Sequence, residues 1–443
     1  MNFEKIFVYS FIILILLGTP SLIFALPEGE EVISGQANFE RLDSTLNIYT
    51  PSEKLIVNYE SFSIAQSEVV NFHQPSSSSI ALNRVVGVLP SEIFGKLAAN
   101  GRIFIVNPNG VLFGPNSSVD VPALVVSTLD ISNEDFLNGN YKFFKSEKSS
   151  YVVNQGNIII RNGGYVCLLS QAIENSGKIE AEFGTVVLAS GEKMTLSLDD
   201  LNEISVVIDE PVKEKVLGFD SAIKNSGLIS ANGGKVILNA KLLNNVFDYA
   251  INNFGIIEAK SLVNNNGVVE LVAEGAPINN IGKIEAEEVK VEVKDADFIN
   301  EGKIIAEEVK VKVENGKVIN KKDIIADGLE TKVDGGTIII EATTILQQGL
   351  ISANAFEGGE AGEIVIISQT QTTLDTGSKT EAIALGLVGN GGKILINSLK
   401  GNTLVNALAV IDVSSGSISG NAGFIEVSAF EQLGFYGVLS GRA

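Results

Sequence analysis

The chain has no tryptophan, one cysteine, one histidine and two methionines in 443 residues. A single cysteine, Cys167, excludes an intrachain disulfide. A single histidine, His73, excludes any site built on two imidazoles and disfavours a histidine-based catalytic triad. Also missing are a phosphate-binding loop, a metal-spaced Cys/His set and a repeated Gly-Gly-x-Gly-x-Asp calcium motif. No cofactor and no metal are expected. Cys167 lies in the apolar run Tyr165-Val166-Cys167-Leu168-Leu169, which predicts burial as a small hydrophobe.

Charge is also in short supply. Only 19% of residues are charged, and the net charge is −21. That sign opposes non-specific binding to nucleic acid or to an anionic membrane surface. It reads as solubility for a long, strand-rich surface. Hydrophobic residues make up 45% and glycines number 44, which fits a large core with strands and tight turns.

Long apolar runs are missing except at the N-terminus. Lys5 precedes an apolar stretch from Ile6 to Leu17 broken only by Ser10. Gly18-Thr19-Pro20 then stops any helix, and Ile23-Phe24-Ala25 offers a small residue at a cleavage position. Residues 1–25 are expected to be a signal peptide cut after about Ala25. No other segment reaches the roughly 18 apolar residues a membrane span needs.

What the chain has in abundance is one phrase: Asn-x-Gly, a short apolar strand, then Glu-Ala or Ser-Ala. It occurs at Asn154-Gln155-Gly156, Asn175-Ser176-Gly177, Asn225-Ser226-Gly227, Asn253-Phe254-Gly255, Asn280-Ile281-Gly282 and Asn300-Glu301-Gly302. Asn280, Asn300 and Asn320 are twenty residues apart. At that shift Val289-Lys290-Val291-Glu292-Val293 falls on Val309-Lys310-Val311-Lys312-Val313. Valines alternating with charges mark a strand with one face buried. A fixed repeat near twenty residues predicts an all-β fold, a right-handed parallel β-helix of the single-stranded, pectin-lyase-like kind. An antiparallel meander would need hairpin turns at every break.

In the β-helix, valine stacks on valine and asparagine on asparagine. The asparagine is expected to tolerate left-handed backbone and the glycine to supply a second permissive turn position. The register places Glu292 beneath Lys312 and Lys294 beneath Glu314, which attract. It also places Lys290 over Lys310 and Glu288 over Glu308, which repel. Residues 26–145 lack the phrase and are expected to form an N-terminal cap with strands near Ile33–Ala37, Leu46–Tyr49, Leu55–Tyr59 and Ile103–Val106. Residues 146–443 are expected to form the coils, with 197–220 an inserted loop or extra strands.

One block stands apart. Gln74-Pro75-Ser76-Ser77-Ser78-Ser79-Ile80-Ala81-Leu82-Asn83-Arg84 is followed by Asn107-Pro108-Asn109-Gly110-Val111-Leu112-Phe113-Gly114 and Ser127-Thr128-Leu129-Asp130. Upstream stand Tyr59-Glu60-Ser61-Phe62 and Val70-Asn71-Phe72. On physical grounds Asn107–Gly110 is a turn, with proline fixing φ and glycine permitting positive φ. In this order the block resembles the N-terminal secretion domain of filamentous haemagglutinin-type exoproteins, the adhesins exported by two-partner secretion, in the branch typified by high-molecular-weight adhesins. Tyr59 stands where many members carry tryptophan, and Gly87-Val88-Leu89-Pro90-Ser91 is more apolar than the usual turn.

The resemblance implies a mechanism. The chain reaches the periplasm, its unfolded N-terminal domain binds the periplasmic domains of an outer-membrane β-barrel transporter, and it folds outside. Strand addition to a sheet edge is one mode of such binding. Scarcity of cysteine suits that route, since an oxidising periplasm would otherwise staple the chain. The residues it marks for transporter recognition or turn geometry are Gln74, Pro75, Asn83, Arg84, Asn107, Pro108, Asn109 and Gly110. The product is expected outside the cell or on its outer surface, with an unknown host or cell-surface receptor.

Two other functions compete. A β-helical glycan-processing enzyme would need paired carboxylates in a cleft. Glu180, Glu258, Glu285 and Glu307 recur along the repeats, but a repeating outward glutamate reads as a solvated face. The stalk of a contact-dependent toxin would need a compact domain after Ala443. The coils run on to Gly441-Arg442-Ala443 without a capping end, which predicts a truncated frame or a fragment of a longer adhesin.

Overall fold

The computed structural model describes residues 26–198, 204–262, 266–328 and 330–443. The expected signal peptide and its cleavage site at Ala25 fall outside the described residues. From Thr45 onward the chain winds as a parallel β-helix, each full coil adding one strand to each of three columns. One coil is Ile278–Asn280, Lys283–Ala286 and Glu288–Lys294. The next is Phe298–Asn300, Lys303–Ile305 and Glu308–Glu314. They pair strand on strand in parallel, residue i on residue i + 20. The three columns are called here the asparagine, glutamate and long-strand columns. Inward side chains such as Val289, Val291, Val293, Val309, Val311 and Val313 form one continuous core. Because each strand alternates faces, a valine at every second position fills that core at every rung.

The asparagines stack as read, for a different local reason. Asn154, Asn175, Asn225, Asn253, Asn280, Asn300 and Asn320 each donate a side-chain N–H to the amide oxygen of the next, every link 2.8 Å long, and Asn320 donates to Gln347. All are buried. None of them has positive φ, nor do Gly177, Gly227, Gly255, Gly282 or Gly302. The expectation of left-handed turn positions is therefore corrected. Glycine is required by close approach: a Cβ on Gly227 would lie 2.0 Å from the Gly177 carbonyl oxygen, and one on Gly282 2.0 Å from that of Gly255. After Gln347 the ladder position turns apolar, passing to Leu374, Val405 and Phe435.

The charged pairs keep the expected register, but the ions settle along and between strands. Lys310 sits between Glu308 at 2.6 Å and Glu288 at 3.5 Å. This relieves both repulsive pairs at once. Lys312 turns to Glu314 on its own strand at 2.9 Å. These pairs are exposed and contribute little.

The coil stack is already running about a hundred residues ahead of the legible repeat, in four longer coils whose strands begin in turn at Thr45, Val69, Lys96 and Ser118 before Asn157. Thr45–Tyr49 pairs with Val69–His73, and Lys54–Tyr59 with Ile80–Val85, all in parallel. The ladder passes unbroken across residues 145 and 146, since Val111–Phe113 pairs with Tyr151–Asn154 and Ser118–Ser127 with Asn157–Ser170. Only the first strands form a cap. Glu31–Ser34 and Asn38–Leu42 lie antiparallel on the first coil.

A second layer covers part of the stack. Asp130–Ile131, Tyr141–Phe144, Lys193–Leu198 and Ile204–Glu210 make an antiparallel sheet. The interruption expected at 197–220 thus includes an added strand. A short helix, Asn133–Asn138, joins the first two strands, capped by Ser132 at its start and by left-handed Gly139 at its end. This cover lies on the outer face of the long-strand column, burying Ile56, Leu82, Phe104, Val125, Cys167 and Val187. Strands buried on both faces read as unbroken apolar runs, which explains Tyr165–Leu169. Beyond the cover, Glu270, Lys290 and Lys310 succeed one another on that outer face.

Candidate functional site

The Asn107–Gly110 turn caps the strand Arg102–Val106 and leads into Val111–Phe113. Asn107 is wholly buried. Its side-chain oxygen accepts from the Asn109 backbone N–H at 2.9 Å, an Asx turn that the sequence Asn-Pro-Asn favours. Its side-chain amide donates to Leu89 O and Ser91 Oγ, both at 3.0 Å. The Asn109 amide donates to Gly87 O at 2.9 Å. The turn closes with Gly110 N–H to Asn107 O, and Gly110 has φ of 121°, a value that excludes most side chains. Both asparagines thus direct side-chain N–H groups to the neighbouring loop, Gly87 to Ser91.

Gln74 begins the other half of the block and is also buried. Its side chain donates to Ser79 O at 3.0 Å, and its backbone exchanges two 2.7 Å bonds with the Asn100 side chain. Pro75 is exposed beside it. Ser79 donates to Glu53 at 2.6 Å, pinning the serine loop. Asn83 points into the aliphatic core between Val57 and Ile105. Its amide donates to Phe104 O at 3.1 Å, while its side-chain oxygen has no partner. Arg84 points the other way. It donates to Asp130 at 2.9 Å, to Asn133 at 2.7 Å and to the Ile131 carbonyl, tying the cover to the coils.

The eight marked residues therefore fall into two groups. Asn107, Pro108, Asn109 and Gly110 form one turn. Gln74 and Pro75 belong to a separate corner, Asn83 to the core and Arg84 to the clamp on the cover. Sequence reading marks Gly87–Ser91 as unusually apolar but does not show that the turn holds it. Val86, Val88 and Leu89 are 56%, 81% and 59% exposed, an apolar tip on a rigid base. The signal was present as three aliphatics between Val85 and Pro90, with one glycine among them.

Other chemistry-bearing residues are paired. His73 stacks on Tyr49 with ring centroids 4.5 Å apart. Glu180, Glu258 and Glu285 share one column face through Ser230. Glu180 meets Lys178 at 2.7 Å, Glu258 meets Lys260 at 3.3 Å, and Glu285 meets Lys283 at 2.7 Å and Lys260 at 3.1 Å. Partial burial pushes the Glu285 carboxyl up, but the two ammoniums together hold it below the usual carboxylate range. Glu307 is not on this row: Ile305 takes the place after Glu285, and Glu307 lies at the corner leading to the long strand. There burial and the Glu307 carboxylate raise the Glu287 carboxyl. Among the described residues no group of three His, Cys, Asp or Glu could hold a metal ion, and no helix is long and apolar enough to cross a membrane.

Comparison with known proteins fits this geometry. The TPS secretion domain profile matches residues 34–286, which hold the second cap strand, the turn, the cover and the first asparagine rungs. Two heme/hemopexin-binding proteins of Haemophilus influenzae are similar. One is 34% identical over 270 residues, covering 59% of this chain and 29% of that protein; the other is 28% identical over 287 residues, covering 59% and 30%. The match thus spans less than a third of either relative. The crystal structure of the HMW1 secretion domain from Haemophilus influenzae superposes with a TM-score of 0.57 at 22% identity, covering 93% of this chain and 98% of that one. That likeness is one of fold.

Proposed function

This chain belongs to the TPS secretion domain family, and from that premise we propose that it is an adhesin-like exoprotein exported by two-partner secretion. The family match over 34–286 carries the reading. The N-terminal domain directs the chain from the periplasm through a dedicated outer-membrane β-barrel transporter. The chain then folds outside the cell, where each finished coil offers an edge to the next. Within the domain, the Asn107–Gly110 turn serves geometry, and the apolar tip at Val86, Val88 and Leu89 is the surface it presents. Such an exposed apolar cluster on a rigid base suits a partner contact.

The role is binding and transport rather than catalysis. In support, the recurring carboxylates at Glu180, Glu258 and Glu285 are neutralised by lysines on an open face. The receptor is the part of the function the relatives address. Both are named for heme and hemopexin binding, so those two ligands are the first to test on this chain.

The test is co-expression with an outer-membrane two-partner secretion transporter. Appearance of the chain in the medium only when the transporter is present supports the reading. Release without any transporter, or retention with it, overturns it.

A further inference from the structure

The corner between the glutamate and long-strand columns opens beside Pro122. Val121 pairs with Ile160 but Ala123 pairs with Tyr165, so residues 161–164 bulge out opposite Pro122. Gly163, with φ of 76°, makes the bend. Beneath the bulge is a hollow of about 280 Å³, lined by Ser77, Arg102, Pro122, Ala123, Arg161 and Tyr165 among others. It spans successive coils, from the serine loop after Gln74 to the bulge.

Its chemistry runs against that of the chain. The molecule carries −21, yet two guanidiniums meet here. Among the described residues no carboxylate pairs with Arg102. Its guanidinium carbon instead lies 5.8 Å from the Tyr165 ring centroid. Arg161 reaches Asp120 at 3.2 Å with both side chains about half exposed, a pair that an incoming anion can displace. Tyr165 is buried, with its hydroxyl facing the Arg102 guanidinium and no other partner among the described residues. Burial raises that phenol against the pull of Arg102, so it stays neutral beside the guanidinium. Donors dominate the side chains here, and Pro122, Ala123 and the tyrosine ring supply an apolar wall. Arginine forks match carboxylates in geometry. A hollow near the lower end of ligand-site volumes holds one ring-sized group, and is larger than a bare inorganic ion needs.

We propose that this hollow binds the carboxylate of an acidic sugar, with Arg102 as the main anion contact, Arg161 closing from the bulge and the ring packed on Pro122 and Tyr165. The inference stands apart from the export reading, because it is tested on purified, folded chain without a transporter.

The probes are glucuronic acid, glucose and inorganic phosphate, followed by saturation-transfer NMR and calorimetry. Glucuronic acid is expected to bind in the millimolar range, as expected for one small ring, with glucose undetected. Arg102→Gln is expected to weaken it by about tenfold and Arg161→Gln by about threefold, the scale of lost charge-assisted hydrogen bonds. Arg161→Gln guards against misfolding, since that side chain is 51% exposed. The proposal is overturned by any of four results: no binding, equal binding of glucose, phosphate bound in preference to glucuronic acid, or wild-type affinity in both variants with unchanged circular dichroism.

Discussion

The side-chain amide of Asn280 donates to the side-chain oxygen of Asn300 at 2.8 Å, and Asn300 donates in turn to Asn320 at the same distance. Removing the middle member orphans a donor below and an acceptor above, both buried. Asn300→Ala is expected to cost about 2–4 kcal/mol, the scale of two unpaired buried groups. Lys321→Ala, which breaks only an exposed ion pair to Glu301, should stay within about 0.5 kcal/mol. Hydrogen exchange across neighbouring rungs, with denaturant melts, measures both. Equal effects in the two variants would remove the ladder from the account of stability.

Cys167 reports on the folded state. It is fully buried between the coils and the cover, and burial pushes its thiol far above the usual range. Maleimide is expected to leave the exported chain unlabelled even at pH 9, and to label it at once in denaturant. In cells lacking the transporter, the periplasmic chain should label readily if the proposed route holds the domain unfolded there. A periplasmic chain as resistant as the exported one would sink export of an unfolded chain.

Asn83 is a polar side chain in an aliphatic stack, with one oxygen unpaired. Asn83→Val is expected to raise stability by about 1 kcal/mol, by removing that orphan and filling the stack between Val57 and Ile105. A denaturant midpoint that falls instead would show that its bond to Phe104 O outweighs the orphan.

The Glu287 and Glu307 pair gives a pH signature. Burial and its neighbour raise the Glu287 carboxyl in the folded chain, so the folded state binds the proton more tightly than the unfolded one. Stability linked to this pair is greatest below the unfolded carboxyl pKa and declines as pH rises through the folded one. Glu287→Gln should therefore stabilise at pH 7 by about 0.5 kcal/mol, the scale of a like-charge cross-strand pair. The gain should vanish at pH 3. Thermal melts at the two pH values decide it, and a gain equal at both would rule out repulsion as the cause.

The apolar tip and the turn beneath it can be separated by mutation. Val88→Ser with Leu89→Ser alters exposed side chains and should leave stability within about 0.5 kcal/mol. It is expected to reduce export several-fold. Asn107→Ala with Asn109→Ala removes the support and should lower both stability, by about 3 kcal/mol, and export. Normal export of the double serine variant would move recognition away from the tip.

How much of this was legible depended on what each residue faces. The twenty-residue register could be read because alternate valines meet only core and the intervening charges meet only water. Upstream of residue 150 the same coils were hidden. There the cover buries the outer face too, so Ile103–Val106 and Ala123–Ser127 show no alternation to read. The glycine after each asparagine was placed at the right corner for the wrong cause, since sequence does not distinguish a turn angle from a carbonyl 2.0 Å away. The Asn107–Gly110 turn was legible from its own residues. Its hold on Gly87 and Leu89 was not, because that contact joins adjacent coils through a pair of loops whose lengths set no fixed spacing.

The cover is assembled from pieces far apart in the chain: Asp130–Ile131 and Tyr141–Phe144 on one side of two coils, Lys193–Leu198 and Ile204–Glu210 on the other. A polypeptide is made, and in this reading delivered, from its N-terminus. Val125 and Cys167 are therefore in place on a finished coil face before Lys193–Leu198 and Ile204–Glu210 have arrived, while Phe136 and Tyr141 already cover Phe104. For that interval the nascent solenoid carries a half-roofed apolar stripe along its flank. The interval ends only when Glu210 clears the pore, which makes the rate of transit up to that residue, rather than the strength of any one contact, the step at which a crowded surface is most exposed to aggregation.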